Sequence, residues 1–331
     1  MPAPSETNAH SERVLVPQSV FIEKLNARGQ KVGFACVGLD TDIDSPRFPE
    51  HIERFGFGYD VDLFNRGIIE SVYDLSGTIK INSAFYEGLG SPAFATIRLA
   101  IQHIREKDPE IPIIWDAKRG DIGNTNNGYA KLAFDHYGVD AITLHPFLGS
   151  SFLDDAGERQ LEALAPFLER EDKGMFILVR TSNPSAGELQ DLPIDITKLT
   201  PEYRRRFGDM DELREMTGQD VVPLYQILAY KVAKHWNKYG NCGVVVGATY
   251  PEEIAAVRSI IGDMPMLIPG VGAQGGDLEK AVKAGINSKK AGILINNSRG
   301  IIFKSSGSDF AEAARGETRQ LRDGINAAIA A

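Results

Sequence analysis

The stretch IIWDAKRGDIGNT, Ile113 to Thr125, opens as a hydrophobic run, carries Asp116, Lys118 and Asp121 within six positions, and stops on a glycine-containing turn. A short aliphatic run bounded in this way reads as a buried strand rather than a helix. Residues two apart in a strand project to the same side, so Asp116 and Lys118 share a face while Ala117 takes the other. Charges at the end of a segment that is otherwise buried mark that end for chemistry or for pairing.

Working outward, seven more short aliphatic runs resemble it: VGFACVGLD (Val32 to Asp40), TIKINSAF (Thr78 to Phe85), DAITLHPF (Asp140 to Phe147), MFILVRTS (Met175 to Ser182), CGVVVGAT (Cys242 to Thr249), MLIPGVG (Met266 to Gly272) and AGILINNS (Ala291 to Ser298). Between them lie stretches such as DLFNRGIIESVYDL, AFATIRLAIQHIREK, ERQLEALAPFLERE, PEEIAAVRSII and DLEKAVKAG, whose apolar residues recur every three to four positions, as amphipathic helices require. Strand alternating with helix implies parallel pairing. Eight such units favour a closed (β/α)8 TIM barrel, a single α/β domain over residues 15–331, rather than an open doubly wound sheet. Residues 1–14 are expected to form a mobile tail.

The rhythm breaks once. Between Ser182 and the helical pattern near Leu224 about forty residues intervene, where short connections are usual. An insertion over about residues 187–222 is expected, with one or two helices in TPEYRRRFGDMDELREM. Thr200 would be the N-cap and Pro201 the first helical residue. Arg204, Arg205 and Arg206 lie among Glu202, Asp209, Asp211 and Glu212 and read as a solvated charged face.

The formal charge of −9 excludes nucleic-acid binding through an overall basic field. An anionic ligand would have to be captured locally. Cys36 and Cys242 are far apart and lack metal-type spacing, so buried thiols in a reducing cytosol are expected. The N-terminal residues carry no apolar core of signal-peptide length, and no window approaches a membrane span, so the expected location is cytoplasmic without membrane association.

The charged run sits at the C-terminal end of its strand, where barrel enzymes keep their chemistry. Lys80 ends the core of the preceding strand and Asp40 ends the strand before that. Such ions are costly to desolvate unless paired. An alternating array of Lys80, Asp116, Lys118 and Asp121 would pair them. Burial would lower the pKa of Lys118 and flanking carboxylates would raise it, leaving it charged and able to act as an acid. A reaction that leaves negative charge on carbon, such as loss of CO2, needs a proton from such a cation.

PGVGAQGGD (Pro269 to Asp277) follows the seventh run and NNSRG (Asn296 to Gly300) the eighth. Loops there commonly hold phosphate in barrels, through glycine-exposed N–H groups, a helix N-terminus and a forked donor such as Arg299. Neither is a P-loop. Ser182 and Gln274 could hydrogen-bond a polar heterocycle or simply stabilise turns. His145 reads as a turn-buried histidine, and Thr249 and Tyr250 as the start of the helix at Pro251.

Taken together, Lys80, DAKRGDIGNT from Asp116, RTSNP from Arg180, GATYPEE from Gly247, PGVGAQGGD and NNSRG resemble the orotidine 5′-phosphate decarboxylase family, with GLD ending at Asp40 extending the match to the first strand. IKINSAFYE and GATYPEE look most like its longer-chain bacterial branch. The resemblance implies conversion of orotidine 5′-monophosphate (OMP) to uridine 5′-monophosphate (UMP), in pyrimidine nucleotide synthesis, without metal or organic cofactor. It implies that Lys118 protonates C6, that Asp116 lies near the departing carboxylate, and that Lys80 and Asp40 contact the ribose and hold the network. Thr125, which closes the DAKRGDIGNT motif, is assigned to substrate binding. Ser182 would contact the pyrimidine, Gln274 would bridge base and phosphate, and Arg299 would bind the phosphate. Asp121 would enter the neighbouring subunit's site, implying a homodimer. The insertion after Ser182 departs from the family's usual connection.

Two other readings stand beside this one. A metal-dependent sugar-phosphate decarboxylase or synthase would share D-x-K-x-x-D but need further acidic ligands, and Lys80 beside Asp116 occupies the space a cation would want. A non-catalytic nucleotide-sensing barrel would keep the phosphate turns without needing all four charges.

Overall fold

The computed structural model describes residues 19–53, 56, 58–272 and 276–331; the expected tail at 1–14 lies outside them. Each of the eight aliphatic runs contributes one barrel strand: β1 (Ala35–Leu39), β2 (Thr78–Asn82), β3 (Ile113–Arg119), β4 (Ala141–Leu144), β5 (Gly174–Arg180), β6 (Cys242–Val246), β7 (Met266–Pro269) and β8 (Ile293–Asn297). They pair in parallel in sequence order, and β8 closes on β1 with Ala35 opposite Ile295. The barrel expected from the alternation is therefore the fold.

Strand periodicity divides the buried residues into two cores. Cys36, Ile114, Ala141, Phe176, Val245, Leu267 and Leu294 form one cluster inside the barrel, together with Phe21, Ile22 and Leu25 of the helix Val20–Val32. Intervening residues such as Val37, Ile79, Trp115, Ile142, Ile177 and Ile295 join the larger cluster formed with the surrounding helices. The apolar interior seals the barrel below its mouth, so the polar inward-facing residues collect at the C-terminal strand ends.

The helix Val20–Val32 was not singled out by periodicity, yet it closes the opposite end. Ser19 caps it by accepting from the Ile22 N–H. Its Phe21 meets Phe176 edge-on with ring centroids 6.1 Å apart, and the Cα of Gly174 lies so close to this ring that a Cβ there would come within 2.1 Å of it. Lys24 pairs with Asp140 at 2.8 Å and Arg28 with Asp108 at 2.6 Å, tying the helix to the segments entering β4 and β3.

One expectation needs correction. ERQLEALAPFLERE is not one helix: Arg159–Leu161 is a strand antiparallel to Ser151–Leu153, and only Ala165–Leu168 is helical. Its apolar spacing comes from Leu164, Phe167 and Leu168 packing into the core around a short turn, not from a continuous helical face. The insertion carries two helices within TPEYRRRFGDMDELREM, as expected, and a further short one before them. Helices Gly187–Gln190, Pro201–Phe207 and Met210–Thr217 are framed by an antiparallel pair, Pro193–Asp195 with Val221–Pro223, before the helix Leu224–Lys231 begins. Thr200 does cap the helix at Pro201, and Arg206 pairs with Glu202 and Arg204 with Asp211 on its solvated face.

Phe21 is 2% exposed, so truncating it opens a cavity at the base of the barrel. Phe21→Ala is expected to lower unfolding free energy by about 3–5 kcal/mol in denaturant titration. A loss below about 1 kcal/mol would mean the helix is not part of the barrel core.

Candidate active site

Parallel registration brings charges from three strands to one height. Lys80 lies opposite Gly38 on β1 and Ile114 on β3, while Asp116 lies opposite Asn82 one step nearer the mouth. The Lys80 side chain rises between its neighbours, its Nζ 2.8 Å from Asp116 Oδ2 and 3.2 Å from Asp40 Oδ1. Lys118 Nζ donates to the other Asp116 oxygen, Oδ1, at 2.6 Å. Lys80 and Asp116 are buried, whereas the Lys118 side chain is half exposed to the cavity mouth. Asp116 thus holds two ammonium groups with one carboxylate.

Burial works against the Asp116 carboxylate, but Lys80 and Lys118 outweigh it and hold its pKa well below the ordinary 3.8. Burial likewise works against the Lys80 ammonium, and Asp116 and Asp40 outweigh it, raising its pKa above the ordinary 10.5. Beneath them the Cys36 thiol is pushed up to about 12 by burial and stays neutral. Both cysteines are free and buried.

Lys118 does not reach Asp116 by regular strand alternation. Its φ is 47°, in the left-handed region that non-glycine residues seldom occupy. The β3–β4 register shifts here: Trp115 lies opposite Ile142 and Arg119 opposite Leu144, so residues 116–118 face Thr143 alone. Such a bulge re-aims side chains. Thr143 accepts a hydrogen bond from the Lys118 N–H at 2.9 Å and donates one to Asp116 Oδ1 at 2.9 Å.

A cavity of about 370 Å³ joins this cluster to the glycine-rich end of the barrel. Asp40, Lys80, Asp116 and Lys118 line one side. Ser182, the turn at Gly270 and Val271, and Asn297 to Arg299 complete it. Gly270 and Gly272 have φ of 99° and 74°, backbone that glycine adopts without a Cβ penalty. The helix Leu278–Gly285 that follows was expected to offer its N-terminus to an anion. Asp277 caps it by accepting the Lys280 N–H, and Gly270, Val271 and Arg299 line the cavity at this end. Among the described residues, Arg299 has no carboxylate within ion-pair distance.

Five of the residues singled out from sequence as site candidates beside Lys80, namely Asp40, Asp116, Lys118, Ser182 and Arg299, therefore share one cavity with it. Asp121 and Thr125 do not line it. The chain turns outward at Gly120, where a Cβ would meet the His145 carbonyl at 2.7 Å, and Asp121 Oδ1 accepts the Ile122 N–H at 2.7 Å. Within one chain the second carboxylate of the cluster is Asp40. Thr125 is exposed on the helix Gly123–Ala130. Gln274 lies outside the described residues. His145 lines a neighbouring cavity, and Tyr250 is the extended N-cap before Pro251. Thr143 and Asn296 were missed, although both have the inward strand parity of the residues they touch; Asn296 donates to the Cys36 carbonyl at 3.1 Å. Among the described residues, no group of three or more His, Cys, Asp or Glu side chains converges as a metal site would require. Nor is any described helix long and apolar enough to cross a membrane.

Fold and site together define a (β/α)8-barrel enzyme with a buried carboxylate–ammonium cluster at its C-terminal mouth. Residues 60–315 match the family model described as orotidine 5′-phosphate decarboxylase / HUMPS family. The orotidine 5′-phosphate decarboxylase of Cellvibrio japonicus is 39% identical over 311 residues, covering 94% of this chain and 99% of that one. That of Thermomicrobium roseum is 43% identical over 307 residues, 92% and 94% of the two chains. The solved OMP decarboxylase of Leishmania donovani superposes with a TM-score of 0.71 at 30% identity, covering 95% of this chain and all of that one. The chain belongs to the orotidine 5′-phosphate decarboxylase / HUMPS family.

Removing one partner of a buried ion pair strands the other charge. Lys80→Met is expected to cost about 3–5 kcal/mol of unfolding free energy near neutral pH. Because the Asp116 pKa is depressed, its stabilisation is present above 3.8 and is lost as pH falls through its native value. That of Lys80, whose pKa is raised, is present below 10.5 and is lost as pH rises through its native value. Urea unfolding across pH should therefore show a constant gap between parent and Lys80→Met from about pH 5 to 9 that shrinks in acid. A gap that grows in acid would contradict the assignment.

Proposed function

We propose that this chain decarboxylates OMP to UMP and CO2, with Lys118 as the proton donor. The observation that carries this reading is the single cavity joining Lys118, bonded to Asp116, with Arg299 and the glycine turn. A substrate whose phosphate is held at Arg299 can present its base to Lys118. The C6–carboxylate bond breaks, CO2 leaves, and the electron pair stays on C6. The Lys118 ammonium then gives its proton to that carbon.

Lys80 and Asp116 contribute by being charged before substrate arrives, so no reorganisation is needed as negative charge moves from carboxylate to carbon. Lys80 keeps Asp116 ionised, and Asp116 orients Lys118. Asp40 and Lys80 would hold the ribose and Ser182 the pyrimidine. Binding energy from phosphate contacts, remote from C6, would be spent on orientation and closure. Gln274, three positions after Val271 in the sequence, would bridge base and phosphate.

In this reading the active unit is a homodimer. Asp121 and Thr125 do not line their own chain's cavity, and Asp121 adjoins Ile122, which is 57% exposed. Asp121 would enter the neighbouring subunit's site and supply a carboxylate near Lys118 there, and Thr125 would contact substrate.

Turnover of OMP, followed by loss of orotate absorbance, tests the activity directly and should survive EDTA; loss with EDTA would favour the metal-dependent alternative. Lys118→Ala should reduce kcat by at least about 10²–10⁴-fold while UMP still binds. Arg299→Ala should chiefly raise KM and weaken phosphorylated ligands. Near-parent turnover in Lys118→Ala would refute the acid assignment. Mixing inactive Asp121→Ala and Lys118→Ala proteins should restore about a quarter of parent activity, since half the dimers are hybrids with one intact site each. No recovery despite demonstrated subunit exchange would refute the shared site.

A further inference from the structure

We propose that Thr143 is a positioning residue for this reaction: through one hydroxyl it fixes the Lys118 backbone and the Asp116 carboxylate relative to each other. The inference rests on the decarboxylase reading above. It starts from the interruption in the β3–β4 ladder, where residues 116–118 face Thr143 alone. The ladder resumes with the His145 N–H donating to the Arg119 carbonyl at 2.9 Å. Across the gap, the Lys118 N–H finds its acceptor in the Thr143 Oγ1 rather than in a β4 carbonyl.

The chemistry of the groups leaves one arrangement. A threonine hydroxyl has one proton, and an ionised carboxylate can only accept. Lys118 N–H uses a lone pair of Oγ1, so the hydroxyl proton points to Asp116 Oδ1, which also receives Lys118 Nζ. Lys80 takes Oδ2 from the β2 side. The carboxylate is thereby held from both flanking strands, and the residue that carries the reactive ammonium is tied by its main chain to the same hydroxyl. Thr143 is 1% exposed, so water cannot readily replace it. With its φ of 47°, Lys118 needs such a restraint to stay in the left-handed region.

A purely structural threonine would matter for stability alone; a positioning one matters for the chemical step. Thr143→Val removes the hydroxyl at nearly constant shape, and Thr143→Ser keeps it. The expected result is a fall in kcat of about 10²-fold for Thr143→Val with KM for OMP unchanged, and recovery of most of kcat in Thr143→Ser. Amide hydrogen exchange at Lys118 should quicken in Thr143→Val and stay protected in Thr143→Ser. Parent-like kcat in Thr143→Val, an equal loss in Thr143→Ser, or unchanged Lys118 protection would overturn the proposal. So would failure of both Thr143→Val and Thr143→Ala to fold, which would assign the residue to the core. If the parent chain itself does not turn over OMP, the functional reading fails, and the exchange comparison still decides whether Thr143 holds Lys118.

Discussion

Asp116 accepts two lysine ammonium groups, the buried Lys80 on one oxygen and the half-exposed Lys118 on the other. Each ion taken alone would be expensive to bury, by several kcal/mol. Their mutual arrangement makes burial tolerable, because each charge is the solvent of the next. The barrel supplies this by geometry: parallel strands in register raise Asp40, Lys80 and Asp116 to one rim, while the apolar interior and the helix Val20–Val32 close the space beneath.

The same constraint explains why the regular strand must break at Lys118. A straight continuation of β3 would keep pairing with β4 and leave no freedom to aim the lysine. The bulge opposite Thr143 releases the backbone from the ladder, and the threonine hydroxyl replaces the missing acceptor. Local strain in the backbone is thus coupled to the carboxylate it serves. Fixed charges of this kind are effective in catalysis because they are oriented before the reaction begins.

Much of this was legible in the sequence because it follows from short-range rules. The eight aliphatic runs are too short for helices and too apolar for surface, and each is a barrel strand. Lys80 and Asp116 could be brought together since both sit near strand ends with the same parity. Thr143 could not be found that way: its importance comes from a register shift, and AITLHPF reads as an ordinary strand. ERQLEALAPFLERE misled for the opposite reason, since core contacts around a turn imitate helical spacing. At the helix that follows the glycine turn, the structure adds a side-chain cap that the sequence reading did not name: Asp277 accepts the Lys280 N–H. Asp121 and Thr125 do not line the cavity within one chain, because the backbone turns away at Gly120, a turn that strand parity does not foresee.

The charge state of Asp116 decides whether this cluster can work as described. Site-resolved carbon-13 titration of its carboxyl group should find it still ionised at about pH 3, below the ordinary carboxylate range. Protonation of Asp116 with a midpoint near or above about 4 would mean that the two ammonium groups do not hold it, and the array would lose its basis.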